Sequence, residues 1–66
     1  MRVTVNGEMM EVPEGTTAED LVSMLGHRTD RVAVEVDGEI CPRDRRGSFV
    51  LTPGQRIELV SFVGGG

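Results

Sequence analysis

Apolar and polar residues alternate over residues 2–6, and this alternation predicts a β-strand with one buried face. The dipeptide Asn6-Gly7 ends the segment, and this pair strongly favours a two-residue hairpin turn. Residues 8–12 then supply a second strand. The chain is therefore predicted to begin with a β-hairpin.

The next segment changes from an alternating pattern to a helical one. Pro13 interrupts the strand, and Thr16 followed three residues later by Glu19 predicts a capping box at a helix N-terminus. Gly26 occupies the place where a helix C-terminus prefers glycine. The apolar residues between these points recur at helical spacing: Ala18, Leu21, Val22 and Leu25. We predict a helix over residues 17–25 that packs on a sheet.

A second hairpin is predicted in the middle of the chain. Residues 31–36 place a valine at every second position, and Asp37-Gly38 supplies another hairpin turn before Glu39 and Ile40. The pattern repeats that of the first hairpin, so these residues are expected to pair as two antiparallel strands.

The last third of the chain combines a loop, a turn and a strand. Residues 41–46 carry one proline and three arginines and predict a loop with room for one helical turn before residues 48–51. Pro53-Gly54 predicts a turn with glycine at a positive φ. The final strand is predicted from about residue 55 to residue 62.

Two hairpins joined by one helix predict an α+β fold of the β-grasp type. The mixed sheet has four to five strands, the first and last strands lie parallel in its middle, and the helix crosses one face. Residues 1–63 form one domain, and residues 64–66 form a flexible glycine tail. The predicted core is Val3, Val5, Met10, Val12, Leu21, Val22, Leu25, Val32, Val34, Ile57 and Leu59.

Composition narrows the possible functions. The formal net charge is −4, and only two residues are aromatic, so the chain lacks both the basic surface and the stacking residues that nucleic-acid binding uses. A single cysteine, Cys41, and a single histidine, His27, make no metal-binding spacing. Cys41 is predicted to be a small buried residue or a bystander without a catalytic role, and His27 a solvated loop residue. We expect a cytoplasmic protein without a membrane segment.

Several motifs in fixed order carry a resemblance to a known family. They are the capped helix between two hairpins, the segments Asp37-Gly38-Glu39-Ile40-Cys41-Pro42-Arg43 and Pro53-Gly54-Gln55-Arg56-Ile57-Glu58-Leu59, and the end Val63-Gly64-Gly65-Gly66. In this order the sequence resembles the ThiS family, the sulfur carrier proteins of thiamine biosynthesis, over essentially its whole length. Gly64 replaces an alanine common in the family, and Arg45-Arg46-Gly47 stands where an aromatic residue is frequent.

The resemblance implies a chemistry centred on the last residue. A ThiF-like adenylating enzyme would use ATP and Mg²⁺ to activate the carboxylate of Gly66, and a cysteine-derived persulfide would supply sulfur for a thiocarboxylate. Thiazole synthase would accept that sulfur. The chain itself would be neither an enzyme nor bound to a cofactor, and Gly64 and Gly65 would thread the tail through a narrow channel.

Strand parity also predicts a surface for docking a partner. Val60 and Phe62 lie on the face of the last strand opposite Ile57 and Leu59, and Ala33 has the same outward parity. These three residues would form a hydrophobic patch beside the tail, although scattered exposed apolar residues are an equally ordinary outcome. Arg43 is a candidate contact for acidic partner groups, and the three loop arginines together are predicted to be a solvated face.

Other functions stay open at this point. The nearest is the small subunit of molybdopterin synthase or the sulfur carrier of another pathway, which would share the fold and the tail. A protein modifier joined through Gly66 belongs to a different class, and the absence of lysine excludes only lysine-linked chains of itself. A non-covalent interaction module is a further alternative. The free chain is expected to be monomeric.

Overall fold

The computed structural model describes residues 1–62, so the predicted tail at residues 64–66 lies outside the described residues. The strands are β1 (Arg2–Val5), β2 (Glu8–Glu11), β3 (Val32–Val36), β4 (Glu39–Ile40) and β5 (Arg56–Ser61), and the helix is α1 (Ala18–Met24). Short 3₁₀ turns span Thr29–Arg31 and Arg43–Arg45. Every strand predicted from the sequence is present, within one or two residues of the predicted bounds.

The five strands form one mixed sheet in the order β2-β1-β5-β3-β4. β1 and β5 are parallel and adjacent, and all other neighbours are antiparallel. The amide of Thr4 donates to the carbonyl of Gln55 at 3.0 Å, and that of Asn6 donates to Ile57 at 2.9 Å. The predicted β-grasp arrangement, with the first and last strands parallel in the middle of the sheet, is confirmed.

Both hairpin turns have the backbone that their sequences predict. Asn6 and Gly7 have φ of 49° and 84°, and Asp37 and Gly38 have φ of 51° and 86°. Two successive positive φ values define the type I′ turn, whose twist matches that of the strands it joins. Asparagine and aspartate tolerate this conformation better than most side chains, which explains the two dipeptides.

The capping box of α1 lies one residue later than predicted. Thr17 is the N-cap: its hydroxyl accepts from the amide of Asp20 at 3.0 Å, and its own amide donates to the Asp20 carboxylate at 3.1 Å. Thr16 is buried, and its hydroxyl donates to the carbonyl of Pro13 at 2.6 Å. The predicted pair of Thr16 and Glu19 is therefore wrong, because Thr16 closes the preceding turn and Asp20 replaces glutamate in the box.

The helix ends at Met24, one residue before the predicted end, and Gly26 occupies the predicted position just after the C-cap. Gly26 has a φ of 80°, and its amide donates to the carbonyl of Ser23 at 3.0 Å. The amide of His27 donates to Val22 at 3.2 Å, which completes a Schellman motif. The left-handed backbone at Gly26 explains why glycine occupies this position.

The core lies between α1 and the inner face of the sheet, and most of it matches the prediction. The prediction that Leu25 belongs to the core is wrong. Its side chain is 38% exposed, because the helix ends at Met24 and Leu25 lies outside the buried stripe. Met10 is only half-buried, since it lies on the edge strand β2. The buried hydrophobic residues missing from the predicted core are Ala18, Val36, Cys41 and Leu51.

Residues 48–51 cover one end of the core without forming a strand. Val50 makes a single isolated bridge with Thr17, and the amide of Leu51 donates to the carbonyl of Thr16 at 2.9 Å. These contacts tie the segment to the start of α1. Leu51 is consequently one of the most completely buried side chains, with 2% of its surface exposed.

Candidate functional site

β5 positions the candidate site because it is the central strand and leads directly to the C-terminal glycines. Its residues alternate strictly between the two faces of the sheet. Ile57 and Leu59 are buried against the helix side, whereas Glu58 and Val60 are exposed on the opposite side, which we call the outer face. One strand therefore serves the core and the surface at once.

Three contacts hold the C-terminal end of β5. The amide of Phe62 donates to the carbonyl of Arg31 at 2.8 Å. The side-chain amide of Asn6 pairs with the backbone of Leu59 as a neighbouring strand would. It accepts from the backbone N–H of Leu59 at 2.8 Å and donates to the carbonyl of Leu59 at 3.3 Å. The sheet therefore supports the chain up to Phe62, the last residue that the structure describes.

The third contact joins His27 to the end of β5. The Nδ1 atom of His27 lies 3.2 Å from the hydroxyl of Ser61. His27 is half-buried, and it lines a shallow cavity of about 380 Å³ between the helix end and the first hairpin. The prediction of a solvated loop histidine is therefore wrong in part, since the fold brings it to the end of the central strand.

Arg46 supports the segment that receives Phe62. It is only 4% exposed, and its guanidinium donates to the carbonyls of Thr29 at 2.8 Å and Val32 at 2.6 Å. These two carbonyls bracket Arg31, whose own carbonyl accepts from Phe62. The prediction that the loop arginines form a solvated face is wrong for Arg46, and no local sequence pattern distinguishes it from its neighbours.

Arg43 lies outside the sheet. It occupies the 3₁₀ turn Arg43–Arg45, and its side chain is exposed, as is that of Arg45. The prediction of solvated arginines therefore holds for these two residues. The geometry leaves the role of Arg43 in partner contact a prediction.

The predicted hydrophobic patch exists as a surface. Val60 and Phe62 are 52% and 58% exposed, and Ala33 is half-buried directly opposite Val60 on β3. Val60 and Ala33 are therefore cross-strand neighbours on the outer face, and Phe62 follows the last residue of the central strand. We call Ala33, Val60 and Phe62 the apolar patch.

Cys41 belongs to the core, which is one of the two places that the sequence left open for it. Its side chain is 4% exposed, and its amide donates to the carbonyl of Val34 at 2.8 Å. Burial raises the pKa of the Cys41 thiol, and the positive charges of Arg46 and Arg45 oppose this shift. A buried thiol with a raised pKa is a poor nucleophile at neutral pH, which agrees with a packing role.

Residues 1–62 hold no cluster of three or more potential metal ligands. Within the same residues, no helix is both long enough and apolar enough to span a membrane.

Comparison with known proteins places the chain in a family. The family model described as the ThiS family matches residues 3–66, which is nearly the whole chain and includes the C-terminal glycines. The chain belongs to the ThiS family. The crystal structure of the thiamine biosynthesis protein ThiS from Geobacter metallireducens agrees with this assignment: its TM-score is 0.84 at 32% identity, with 100% of both chains covered.

Two kinds of curated relative accompany this ThiS-family assignment. The sulfur carrier protein ThiS of Escherichia coli is 26% identical over 66 residues, with 100% of both chains covered. The thiazole synthase of Magnetococcus marinus is 39% identical over 66 residues, and that of Paramagnetospirillum magneticum is 35% identical. The chain spans 100% of its own length in these matches but only 20% of each thiazole synthase.

Proposed function

We propose that this ThiS-family chain is a sulfur carrier of thiamine biosynthesis and that the carboxylate of Gly66 carries the sulfur. The observation behind the proposal is the family match over residues 3–66, which extends through the glycines that follow the central strand. The full-length similarity to the Escherichia coli sulfur carrier protein supports the same assignment.

The chemistry begins with an unreactive group. A C-terminal carboxylate is ionised at neutral pH, so it is a poor electrophile until one oxygen becomes part of a leaving group. A ThiF-like partner would adenylate Gly66 with ATP and Mg²⁺. The terminal sulfur of a persulfide then displaces AMP and forms an acyl disulfide. A second thiol attacks the donor sulfur, which releases the thiocarboxylate and leaves a disulfide on the donor side.

Thiazole synthase is the proposed acceptor. In two thiazole synthases, a segment similar to the whole of this chain makes up a fifth of the protein. Joining a carrier to the enzyme that consumes its sulfur raises their effective concentration, which is a physical reason for such a fusion.

The tail and the apolar patch have separate proposed tasks. Gly64 and Gly65 lack a Cβ, so they allow an extended backbone to enter a narrow active site. The apolar patch of Ala33, Val60 and Phe62 lies at the C-terminal end of β5 and would hold the body of the carrier against the partner. Recognition by the folded domain and reaction at Gly66 are therefore distinct steps.

Intact-protein mass spectrometry tests the proposal. The chain is incubated with the cognate adenylating enzyme, ATP, Mg²⁺ and a persulfide donor, and replacement of one terminal oxygen by sulfur is the expected product. A variant lacking residues 64–66 is the control and should stay unmodified, because it has no C-terminal glycine carboxylate. Gly65→Ala should fold normally and be modified slowly, because its Cβ obstructs the channel. Absence of any sulfur adduct, with an enzyme that loads another carrier, would contradict the proposal.

The sulfur acceptor requires a second experiment. The isolated thiocarboxylate is mixed with thiazole synthase or with the large subunit of molybdopterin synthase, and sulfur transfer is followed by loss of the thiocarboxylate. We expect the thiocarboxylate to be lost with thiazole synthase and to be retained with the large subunit of molybdopterin synthase. Transfer only to the molybdopterin enzyme would keep the carrier chemistry and reject the thiamine pathway.

A further inference from the structure

Two glutamates stand directly opposite each other on the outer face of the sheet. Glu58 on β5 pairs in register with Glu35 on β3, next to the pair formed by Val60 and Ala33. The residues on either side of Glu58 along the strand, Ile57 and Leu59, are buried, so its side chain points away from the core. Glu35 is half-buried and Glu58 is exposed.

This register places two like charges opposite each other across the strands. Like charges directly opposite each other on antiparallel strands destabilise a sheet. Within residues 1–62, the ion pairs join Glu11 to Arg2 and to the N-terminus, and Arg28 to Asp30, and none includes either glutamate of the pair.

Arg56 is the basic residue nearest to Glu58 along the strand on the same face. It lines a shallow depression together with Glu58 and Asp37. Its backbone amide donates to the Asp37 carboxylate at 2.9 Å, while its guanidinium forms no ion pair within the described part of the chain. Arg56 therefore shares this depression with Glu58, yet neither glutamate of the pair takes part in an ion pair within residues 1–62.

We propose that Glu35 and Glu58 form a seat for one arginine or lysine of the adenylating partner, whose neighbouring apolar side chain packs on the apolar patch. This inference rests on the proposed carrier function and names the chemistry of the partner surface. A cation between the two carboxylates would relieve their repulsion on binding. The gain would be present in the complex and absent in the free protein.

The geometry sets a spacing that the partner must match. Val60 follows Glu58 by two residues on the same face, which separates them by about 7 Å along the strand. The partner must therefore present its cationic group about 7 Å from an apolar side chain. This requirement selects among apolar surfaces that would otherwise fit the patch equally well.

Charge argues against other occupants of this face. Nucleic acid would place phosphates against two carboxylates. A second copy packed face to face would set one acidic pair near another, since an isologous contact joins the same patch on both chains. A basic partner surface is the occupant that the net charge of −4 also attracts from a distance.

A pair of matched double variants tests the proposal. Glu35→Gln with Glu58→Gln removes the seat, whereas Glu14→Gln with Glu39→Gln removes the same total charge elsewhere. Glu39 pairs with Val36, so it lies on β4 with the opposite parity, and Glu14 is in the exposed turn before the helix. Dissociation constants for the cognate adenylating enzyme are measured at low and high salt, and thermal midpoints are measured for each free variant.

The seat variant should bind roughly five- to twenty-fold more weakly at low salt, with a smaller salt dependence than the parent. Its thermal midpoint should be higher than that of the parent, because the repulsion between strands is gone. Weaker binding by a more stable protein separates lost recognition from damaged folding. The control variant should bind within about two-fold of the parent.

Four results would overturn the inference. Unchanged affinity of the seat variant, with a parent chain that still becomes thiocarboxylated, rejects the seat and keeps the carrier function. Equal weakening of both double variants reduces the effect to net charge. Concentration-dependent dimerisation of the parent that the seat variant loses, with partner affinity unchanged, assigns the face to a second copy. A parent that neither binds nor accepts sulfur rejects the carrier function together with the seat.

Discussion

The two faces of the sheet differ sharply although the same strand contributes to both. On the helix side, Ile57 and Leu59 are 1% and 7% exposed and pack in a continuous core. On the outer face, Val60 is 52% exposed, and Glu58 faces another glutamate across the sheet. The stability of the fold therefore comes mainly from the helix side of the sheet. Residues on the outer face can consequently vary without loss of the core.

Truncations on the two faces of β5 should differ most in their effect on stability. Ile57→Ala removes a side chain from the closed core and should lower the free energy of unfolding by about 2–5 kcal/mol. Val60→Ala, three residues later on the outer face, should change it by less than about 1 kcal/mol. Urea denaturation measures both values. Similar losses from the two variants would show that the outer face also supports the fold.

A buried and an exposed arginine of the loop before residue 48, Arg46 and Arg43, should differ in the same way as the two faces of β5. Arg46→Met keeps the length of the side chain but leaves the carbonyls of Thr29 and Val32 without their donor, and we expect a loss of about 2–3 kcal/mol in unfolding free energy. Arg43→Met, in the exposed turn, should change stability by less than about 0.5 kcal/mol.

Hydrogen exchange locates the effect of Arg46→Met within the fold. Exchange at the amide of Phe62 should accelerate more than exchange at the amide of Asp37, which is bonded to Arg56 at the other end of the same ladder. Equal acceleration at both amides would assign Arg46 a global role instead of support for the base of the tail.

The N-cap of α1 should contribute a smaller amount to the stability of the protein. Thr17→Ala removes the hydroxyl that accepts from Asp20 and should destabilise the protein by about 1 kcal/mol. Thr17→Ser retains the hydroxyl and should stay close to the parent. Thermal denaturation of the two variants is the measurement, and equal midpoints would show that the observed cap contributes nothing.

The smallest expected effect is a pH dependence from Cys41 in the core. Burial raises the pKa of this thiol above its ordinary value of 9.0, so the unfolded chain releases the proton more readily than the folded one. The stabilisation of the folded state by the protonated Cys41 thiol is complete below pH 9.0. It declines as the pH rises toward the pKa of the thiol in the folded protein. The chain has no lysine or tyrosine, so few other groups titrate in this window.

The decline should be absent in Cys41→Ala, which removes the titrating group. Unfolding free energies of both proteins, followed from below pH 9.0 to above it, make the comparison. An identical slope in the two proteins would mean that the thiol is not protected by the core.

Local sequence patterns predicted the helix and the strands, and the errors lie at the two ends of the helix. Thr16 and Thr17 are both plausible N-caps, and only the contact of the Thr16 hydroxyl with Pro13 decides between them. Leu25 has the right helical spacing for the core, yet the helix ends one residue earlier. Boundaries depend on neighbouring segments, which a local pattern does not contain.

The sequence by itself determined the two type I′ hairpins, the alternating faces of β5 and the glycine end, because each depends on the backbone preferences of adjacent residues. Only the tertiary structure decided that Arg46 lies inside and that Glu35 faces Glu58. Both follow from strand register and from contacts between residues far apart in the chain. The same pairing that places Val60 beside Ala33 also opposes the two acids, so the apolar patch and the proposed cation seat come from one register.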